Sequence, residues 1–236
     1  MKKFIVDDSF WELFPDAKVG VLLIKDMASG EESPESLQEL LDESNEKAKD
    51  YLDAGVFSEN PVIAVYRDAF KKFKTKKGAR SSIEALLKRA SKDNPVPSIN
   101  PLVDIYNAAS LRYALPFGAE DMDKFEGDLR LTITDGDDEF YPIGSDENQP
   151  TLPGELCYKD DAGAVCRCFN WRDGQRTMIT DETKNAFLIS ELVDNSREDA
   201  LKEALDFVET QVGTYLSGQV EKFILDKDNP SIELGV

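Results

Sequence analysis

The hydrophobic period of this chain changes near Pro116, and that change restricts the fold more than any other feature of the sequence. Before it, apolar residues recur at the helical spacing of about 3.6; after it, they alternate, as in half-buried strands. The helical stretch before it, "NPLVDIYNAASLRYALPFGAED", is expected to run from Pro101, apolar at Leu102, Ile105, Ala109 and Leu111, ended by Pro116 and Gly118. "DLRLTITDGDDEFYPIG" then alternates Leu129, Leu131 and Ile133 and reads as a hairpin turning at "DGDD"; "ELCYKDDAGAVCRCFNW" reads as a second hairpin turning at "DDAG". "RTMIT" and "NAFLISEL" are further strand candidates.

Upstream, "KVGVLLIKDM" (Lys18 to Met27) has the length and branching of a buried strand and follows a short capped segment, "DDSFWELFPD". "SPESLQELLDESNEKAKDYLDAGVF" is expected to be an acidic helix with Ser33 as N-cap and Pro34 first in the helix, its periodic positions running as far as Tyr51 and Leu52. "NPVIAVYRDAFKKF" and "SIEALLKRAS" predict two more helices, and Glu198 to Leu216 a final amphipathic one. Helices early and strands late make an α+β layout around a central, mostly antiparallel or mixed sheet with flanking helices. The expected organisation is one domain over 1–236: a helix-rich N-terminal segment over residues 1–97, a core over 98–195, and a helix with tail over 196–236.

A hydrophobic content of 41% supports a real core. No run approaches the roughly 18 apolar residues of a membrane span, and the start runs into Asp7 and Asp8 instead of a signal-peptide core. The expectation is a soluble, cytoplasmic protein with no membrane partner; the oligomeric state stays open. Cys166 and Cys168 alternate around Arg167, so they are expected to share a strand face as a buried reduced pair, with Cys157 as the odd cysteine. With no histidine and no CxxC, neither a metal nor another cofactor is expected.

The formal charge of -19 argues against a polyanionic partner, but its distribution does not. Between residues 67 and 92 stand ten basic residues (Arg67, Lys71, Lys72, Lys74, Lys76, Lys77, Arg80, Lys88, Arg89 and Lys92) against two acids, Asp68 and Glu84. Phe70 and Phe73 interleave these charges, so the helix can be anchored by aromatics while the cations track phosphates; a solvated face is the plainer reading.

Residues 168–177, "CFNWRDGQRT", concentrate amides, guanidinium groups, a carboxylate and a hydroxyl beside a tryptophan. That inventory suits a small-ligand site, in a chain without imidazole. Two neighbouring stretches carry a resemblance. "NPLVDIYNAASLRYALPFGAEDMDKFEGD" is similar to the B3/B4 domain of the bacterial phenylalanyl-tRNA synthetase β chain, through Pro101, Leu102, Val103, Asp104, Ile105 and Asn107, then Pro116, Ala119, Asp121, Asp123, Lys124, Glu126 and Gly127. "DDAGAVCRCFNWRDGQRTMITDETKNAFLISEL" continues it through Gly163, Gly174, Thr180, Asp181, Thr183 and Asn185. The similarity runs from Pro101 to Glu191, and the first hundred residues look like those of free-standing B3/B4 proteins.

The resemblance implies a B3/B4-like fold whose cleft, in the synthetase, hydrolyses tyrosine wrongly esterified to phenylalanine tRNA. Gly118 stands where that pattern has a histidine, and Gln175 where it has a glutamate. The implied partner is aminoacylated tRNA, with an amino acid or small amide as the alternative ligand. The implied tRNA contacts are Arg67, Lys71, Lys72, Lys74, Lys76, Lys77, Arg80, Lys88 and Arg89. An aminoacyl ester is already activated, so positioning a water and polarising the carbonyl are the main tasks left to such a site. Asp173 is the candidate to orient water or hold the ammonium, and Arg172, Arg176 or backbone donors near Gly174 are candidates for the oxyanion. Asn170 and Gln175 would read the amino-acid moiety.

Plainer readings stand beside these. Arg172 and Asp173 can pair with each other, Trp171 can belong to the core, and Thr180 and Thr183 can close a turn. Tyr106 and Asn107 can face the cleft or solvent, and Gly118 can end the helix or widen a pocket. Three functions follow: an editing ester hydrolase, a non-catalytic binding module using the same cleft, and a protein-interaction subunit.

Overall fold

The computed structural model describes residues 1–28, 30–52 and 55–236. In chain order its elements are β1 (Lys3–Val6), α1 (Asp8–Leu13), β2 (Lys18–Lys25), α2 (Glu35–Ala48), α3 (Pro61–Phe70), α4 (Ser82–Ala90), α5 (Pro101–Tyr113), β3 (Gly118–Asp121), β4 (Leu129–Ile133), β5 (Leu156–Asp160), β6 (Gly163–Arg167), β7 (Arg172–Asp173), β8 (Ala186–Leu192), α6 (Glu198–Tyr215), β9 (Gln219–Leu225) and β10 (Ser231–Glu233). The architecture is α+β, with strands in two sheets instead of one central sheet. A six-stranded sheet has the order β10-β1-β4-β5-β6-β7, and a four-stranded sheet the order β3-β8-β2-β9. The β1–β4 pair is parallel and all the others are antiparallel.

β2 and β8 occupy the middle of the smaller sheet, which explains their unbroken apolar runs: every residue from Val19 to Ile24, and all of β8, is buried. Alternate residues enter two different cores. Val19, Val21, Leu23, Phe187 and Ile189 pack toward the larger sheet and toward α1, α3 and α4. Leu22, Ile24, Leu188 and Leu192 pack with α5 and α6. Gly20 lets α6 approach closely, since a Cβ there would lie 2.9 Å from Leu201 Cδ1 and 3.1 Å from Leu205 Cδ1.

Local signals account for most helix starts. Asn60 accepts from the Val62 N–H at 3.2 Å, Ser81 from Glu84 at 3.4 Å and Asn100 from Val103 at 3.0 Å, with Pro61 and Pro101 following their caps. Ser33 departs from the expected capping role. Its hydroxyl donates to buried Asp104 at 2.6 Å, and Pro34 precedes the helix. α2 gives way to a short 3-10 turn at Lys49–Tyr51, so Tyr51 lies beyond the α-helix; Asp53 and Ala54 of the same stretch lie outside the described residues.

Other corrections concern strands. "DGDD" does not join a hairpin: β4 pairs with β5, and the intervening loop folds around Asp138, which accepts from Thr134, Thr151 and Lys159. "DDAG" does turn β5 into β6. "RTMIT" forms no strand, because Arg176 and Thr177 are tied to Asp160 and Glu120 by their side chains. Gly118 opens β3 instead of ending α5, whose C-cap is Ala114 in left-handed conformation (φ 48°). Cys157, Cys166 and Cys168 are buried and reduced, but Cys166 and Cys168 do not share a face. Cys168 is left-handed (φ 49°) beyond the end of β6 and turns toward Glu155, while Cys166 meets Asp173. No described helix is long and apolar enough to cross a membrane.

Candidate functional site

β3 is an edge of the smaller sheet and β7 an edge of the larger one, and the two edges meet at the segment "CFNWRDGQRT". The backbone turn after β6 makes this junction. Cys168 and Phe169 are consecutive non-glycine residues with positive φ, 49° and 57°, a conformation costing on the order of 1–3 kcal/mol each and kept where the surroundings enforce it. Here the enforcement is aromatic. Phe169 is buried against Phe70 and Phe73, each at 5.7 Å between ring centroids, and against Phe14 at 5.9 Å. Phe70 and Phe73 thus anchor the basic helix and its connection to this turn.

The turn directs Asn170 at Gly118. A Cβ on Gly118 would lie 2.1 Å from Asn170 Oδ1, so only glycine leaves that amide in place. Asn170 Nδ2 donates to Glu191 at 2.8 Å, and Glu191 also accepts from the Tyr158 hydroxyl. Glu191 is 1% exposed, and burial pushes its carboxyl up to about 7.

Beside this network lies an acid cluster. The ligand atoms of Glu120, Cys166 and Asp173 lie within 4.8 Å of one another. Glu120, 5% exposed, accepts from the Thr177 hydroxyl at 2.7 Å. Burial and the neighbouring Asp173 push its carboxyl well above the usual range. Asp173 is half-buried and accepts from the Cys166 thiol at 3.1 Å; burial raises its carboxyl too. Cys166 is held strongly as the thiol by burial and by these carboxylates. Tyr106 of α5 is half-buried within reach of their charges and stays a phenol, its hydroxyl unpaired among the described residues. The cluster therefore holds two acids in unequal environments with a phenol within reach of their charges. The same three atoms of Glu120, Cys166 and Asp173 are a set that could hold a divalent ion, at the cost of their protons.

Of the residues expected at the site, Asn170 and Gly118 meet each other, while Asp173 meets Cys166 and Glu120, which were not expected there. Arg172, the neighbour of Asp173 on β7, points the other way, exposed, with its guanidinium 5.2 Å from the centroid of half-buried Trp171; it does not pair with Asp173. Gln175 donates to the carbonyls of Pro142 and Ser145, and Arg176 forms a bidentate pair with Asp160. The N–H groups of Gly174 and Gln175 are taken by Val165 and Tyr141 carbonyls. Asn107, one position beyond Tyr106 and so roughly 100° around the helix, is half-buried with its amide unpaired among the described residues. Thr180 and Thr183 close a turn, and Thr183 also donates to Asp121 at 3.0 Å.

Glu120, Cys166 and Glu191 were not anticipated as site residues. Glu191 did carry a signal, being an ionisable residue inside the apolar run "NAFLISEL". Several residues that carry the family resemblance prove to be fasteners. Asp121 binds the Asp123 N–H and Thr183, Asn185 binds Asp123 at 3.0 Å, and buried Asp104 accepts from Ser33, Ser98 and the Ile99 N–H.

The basic segment occupies the end of α3, the following connection and α4. Arg67 pairs with Glu84 and Lys71 with Asp68; Lys72 donates to the Leu13 carbonyl, Lys76 to Gln149, and Lys88 lies over Phe57. Arg89 binds Asn94 and the Pro95 carbonyl, while the exposed side chains of Lys74, Lys77 and Arg80 have no partner among the described residues.

Two sheets, with α5 and α6 packed on the smaller one and a cluster of acids where their edges meet, define an α+β domain. The chain belongs to the B3/4 domain family, whose model matches residues 65–209. It is 34% identical over 90 residues to the phenylalanine–tRNA ligase beta subunit of Fusobacterium nucleatum, a match covering 38% of this chain and 11% of that protein. The chain thus matches about a tenth of that relative's length. An N-terminal fragment of the phenylalanyl-tRNA synthetase beta-subunit from Pyrococcus horikoshii superposes with a TM-score of 0.51 over 95% of this chain and 54% of that one. At 11% identity, that likeness is one of fold.

Proposed function

We propose that the protein hydrolyses a mischarged aminoacyl ester on tRNA, using the cleft between β3 and β7. The observation carrying this reading is the cluster of Glu120, Cys166 and Asp173, with Tyr106 within reach of its charges and the Gly118–Asn170 contact on the same strand β3 as Glu120, in a member of the B3/4 family. The two acids have separable roles. Glu120 is the more deeply buried and is pushed further up, so it remains the neutral carboxylic acid when the half-buried Asp173 is ionised. Asp173 then accepts a proton from water as that water attacks the ester carbonyl. Glu120 and the Tyr106 phenol donate toward the developing oxyanion, and the released ribose hydroxyl recovers a proton from the Glu120 acid. This replaces the oxyanion role expected of Arg172 and the Gly174 amides, which the fold uses elsewhere. The free cations of the basic segment supply the tRNA contact.

The cation whose charge reaches Glu120, Arg176, is held by Asp160, and this favours a second reading, a binding module in which the acid pair holds an ammonium group without hydrolysis. A panel of mischarged and correctly charged tRNAs, tyrosine on phenylalanine tRNA first, separates the two. Selective deacylation lost in Asp173→Asn and Glu120→Gln supports the enzyme. Survival of every ester at the uncatalysed rate, with retained binding of a free amino acid, leaves the binding module.

A further inference from the structure

A concave site lies away from the acid cluster, on the basic segment. A cavity of about 500 Å³ is lined by Arg67, Arg80, Lys88, Arg89 and Lys92 together with Glu84 and Phe57. Glu84 is the one carboxylate among these, and it is engaged by Arg67 through two bonds, 2.6 and 3.1 Å. The other four cations have no carboxylate partner among the described residues, although the chain as a whole carries a charge of -19. Their positions are not those of loose surface lysines alone. Arg89 is fixed by bonds to Asn94 Oδ1 at 3.2 Å and to the Pro95 carbonyl at 3.0 Å. Its Nε is buried with no acceptor among the described residues. A buried donor of this kind is costly unless something accepts from it.

Helix-dipole compensation explains part of the pattern, since Lys88 and Arg89 stand in the last turn of α4. It does not explain Arg80, which precedes the helix, or the concavity the cations surround. Guanidinium groups around a cavity match the geometry of a phosphate ester. Phe57 adds a surface of a different kind. Its ring, with Lys88 Nζ 4.5 Å from the centroid, forms one wall, and it also lines a second cavity of about 350 Å³ with Leu52, Val56 and Pro61. An aromatic face adjoining an anion site suits a heterocyclic base beside its own phosphate. The volume fits a ligand of that size.

We infer that this cleft binds a single phosphate-bearing nucleotide, with Arg80, Arg89 and Lys92 on the phosphate and the base against Phe57. The inference goes beyond ester hydrolysis and is tested apart from it, although Arg80 also belongs to the tRNA contact proposed above. The nucleotide can be free, or an unpaired residue of an RNA strand, and the two sources share the same chemistry.

Isothermal titration of the full chain at low salt with ADP, adenosine and a five-residue oligoadenylate tests the assignment. ADP or the oligonucleotide should bind, adenosine should bind at least about tenfold more weakly than whichever does, and Arg80→Ala/Lys92→Ala should weaken that binding by about tenfold or more. Phe57→Ala should weaken it about fivefold or more. Binding of ADP identifies a site open to free nucleotides; binding of the oligonucleotide without ADP identifies an RNA strand as the source. Asp173→Asn, in the acid cleft, should leave the affinity unchanged, so a failed deacylation assay does not count against this site. The inference is overturned if neither probe binds, if adenosine binds as well as ADP or the oligonucleotide, or if Arg80→Ala/Lys92→Ala or Phe57→Ala binds like the parent while circular dichroism shows the variant folded.

Discussion

Replacing Glu191 by Gln should make the protein's stability less dependent on pH, by an amount the structure sets. The carboxyl lies between the two sheets, 1% exposed, with Tyr158 and Asn170 donating to it and no cation beside it among the described residues. Burial raises it from 4.5 to about 7, against the smaller opposing effect of those two hydrogen bonds. The folded state therefore binds the proton more tightly than the unfolded chain. Its contribution is fully present below about pH 4.5, declines as the unfolded chain ionises, and is gone above about pH 7. Between pH 5 and pH 8 the loss from this one group is about 2 to 3 kcal/mol. Glutamine keeps the shape and an acceptor for Asn170 but cannot ionise. Urea unfolding of the parent and of Glu191→Gln at both pH values gives the difference directly: the variant should gain about 2 to 3 kcal/mol relative to the parent on going from pH 5 to pH 8. Raised carboxyls at Glu120 and Asp173 slope the parent curve in the same direction, but they are common to both proteins and cancel. A stability difference that stays constant with pH would show that Glu191 ionises in the folded protein as it does in water, and the buried network around Asn170 would have to be redrawn.

Other outcomes follow from the same structure. Arg167→Ala should cost about 3–5 kcal/mol, because it strands Glu155 without the bidentate partner 2.7 Å away in a site where both side chains are about 1% exposed or less; chemical denaturation measures it. Arg172→Ala should change stability by no more than about 1 kcal/mol, since its guanidinium is exposed over Trp171, and a large drop in Tm would contradict that placement. Gly118→Ala should keep the fold while turning the Asn170 amide out of the cleft, seen as loss of ligand binding or deacylation with a cooperative unfolding transition retained. Binding of an amine-bearing ligand beside Glu120 and Asp173 should release protons, so calorimetric enthalpies at neutral pH should vary with the ionisation enthalpy of the buffer; no variation would place the ligand elsewhere.

What the sequence alone determined was local. The helices that begin at Pro61, Ser82 and Pro101 and the apolar runs of β2 and β8 depend on neighbours within a few residues, and those could be read, whereas the one cap expected by name, Ser33, is taken by Asp104 of a distant helix. The short strands β1, β3, β9 and β10 could not, because their pairing comes from distant segments and, in β9, from an exposed face carrying Glu221 and Lys222. At the site, composition pointed to "CFNWRDGQRT", where Asn170 meets Gly118 and Asp173 meets Cys166. Which of its polar groups face inward was a tertiary decision. Adjacent residues on a strand point to opposite sides, so the β7 edge turned Asp173 in and Arg172 out, while carbonyls of a loop some 30 residues upstream claimed Gln175. Glu120 and Glu191 acquire their chemistry only from burial between two sheets, since the free energy of a carboxylate is set by the solvent and charges around it and not by its neighbours in the chain.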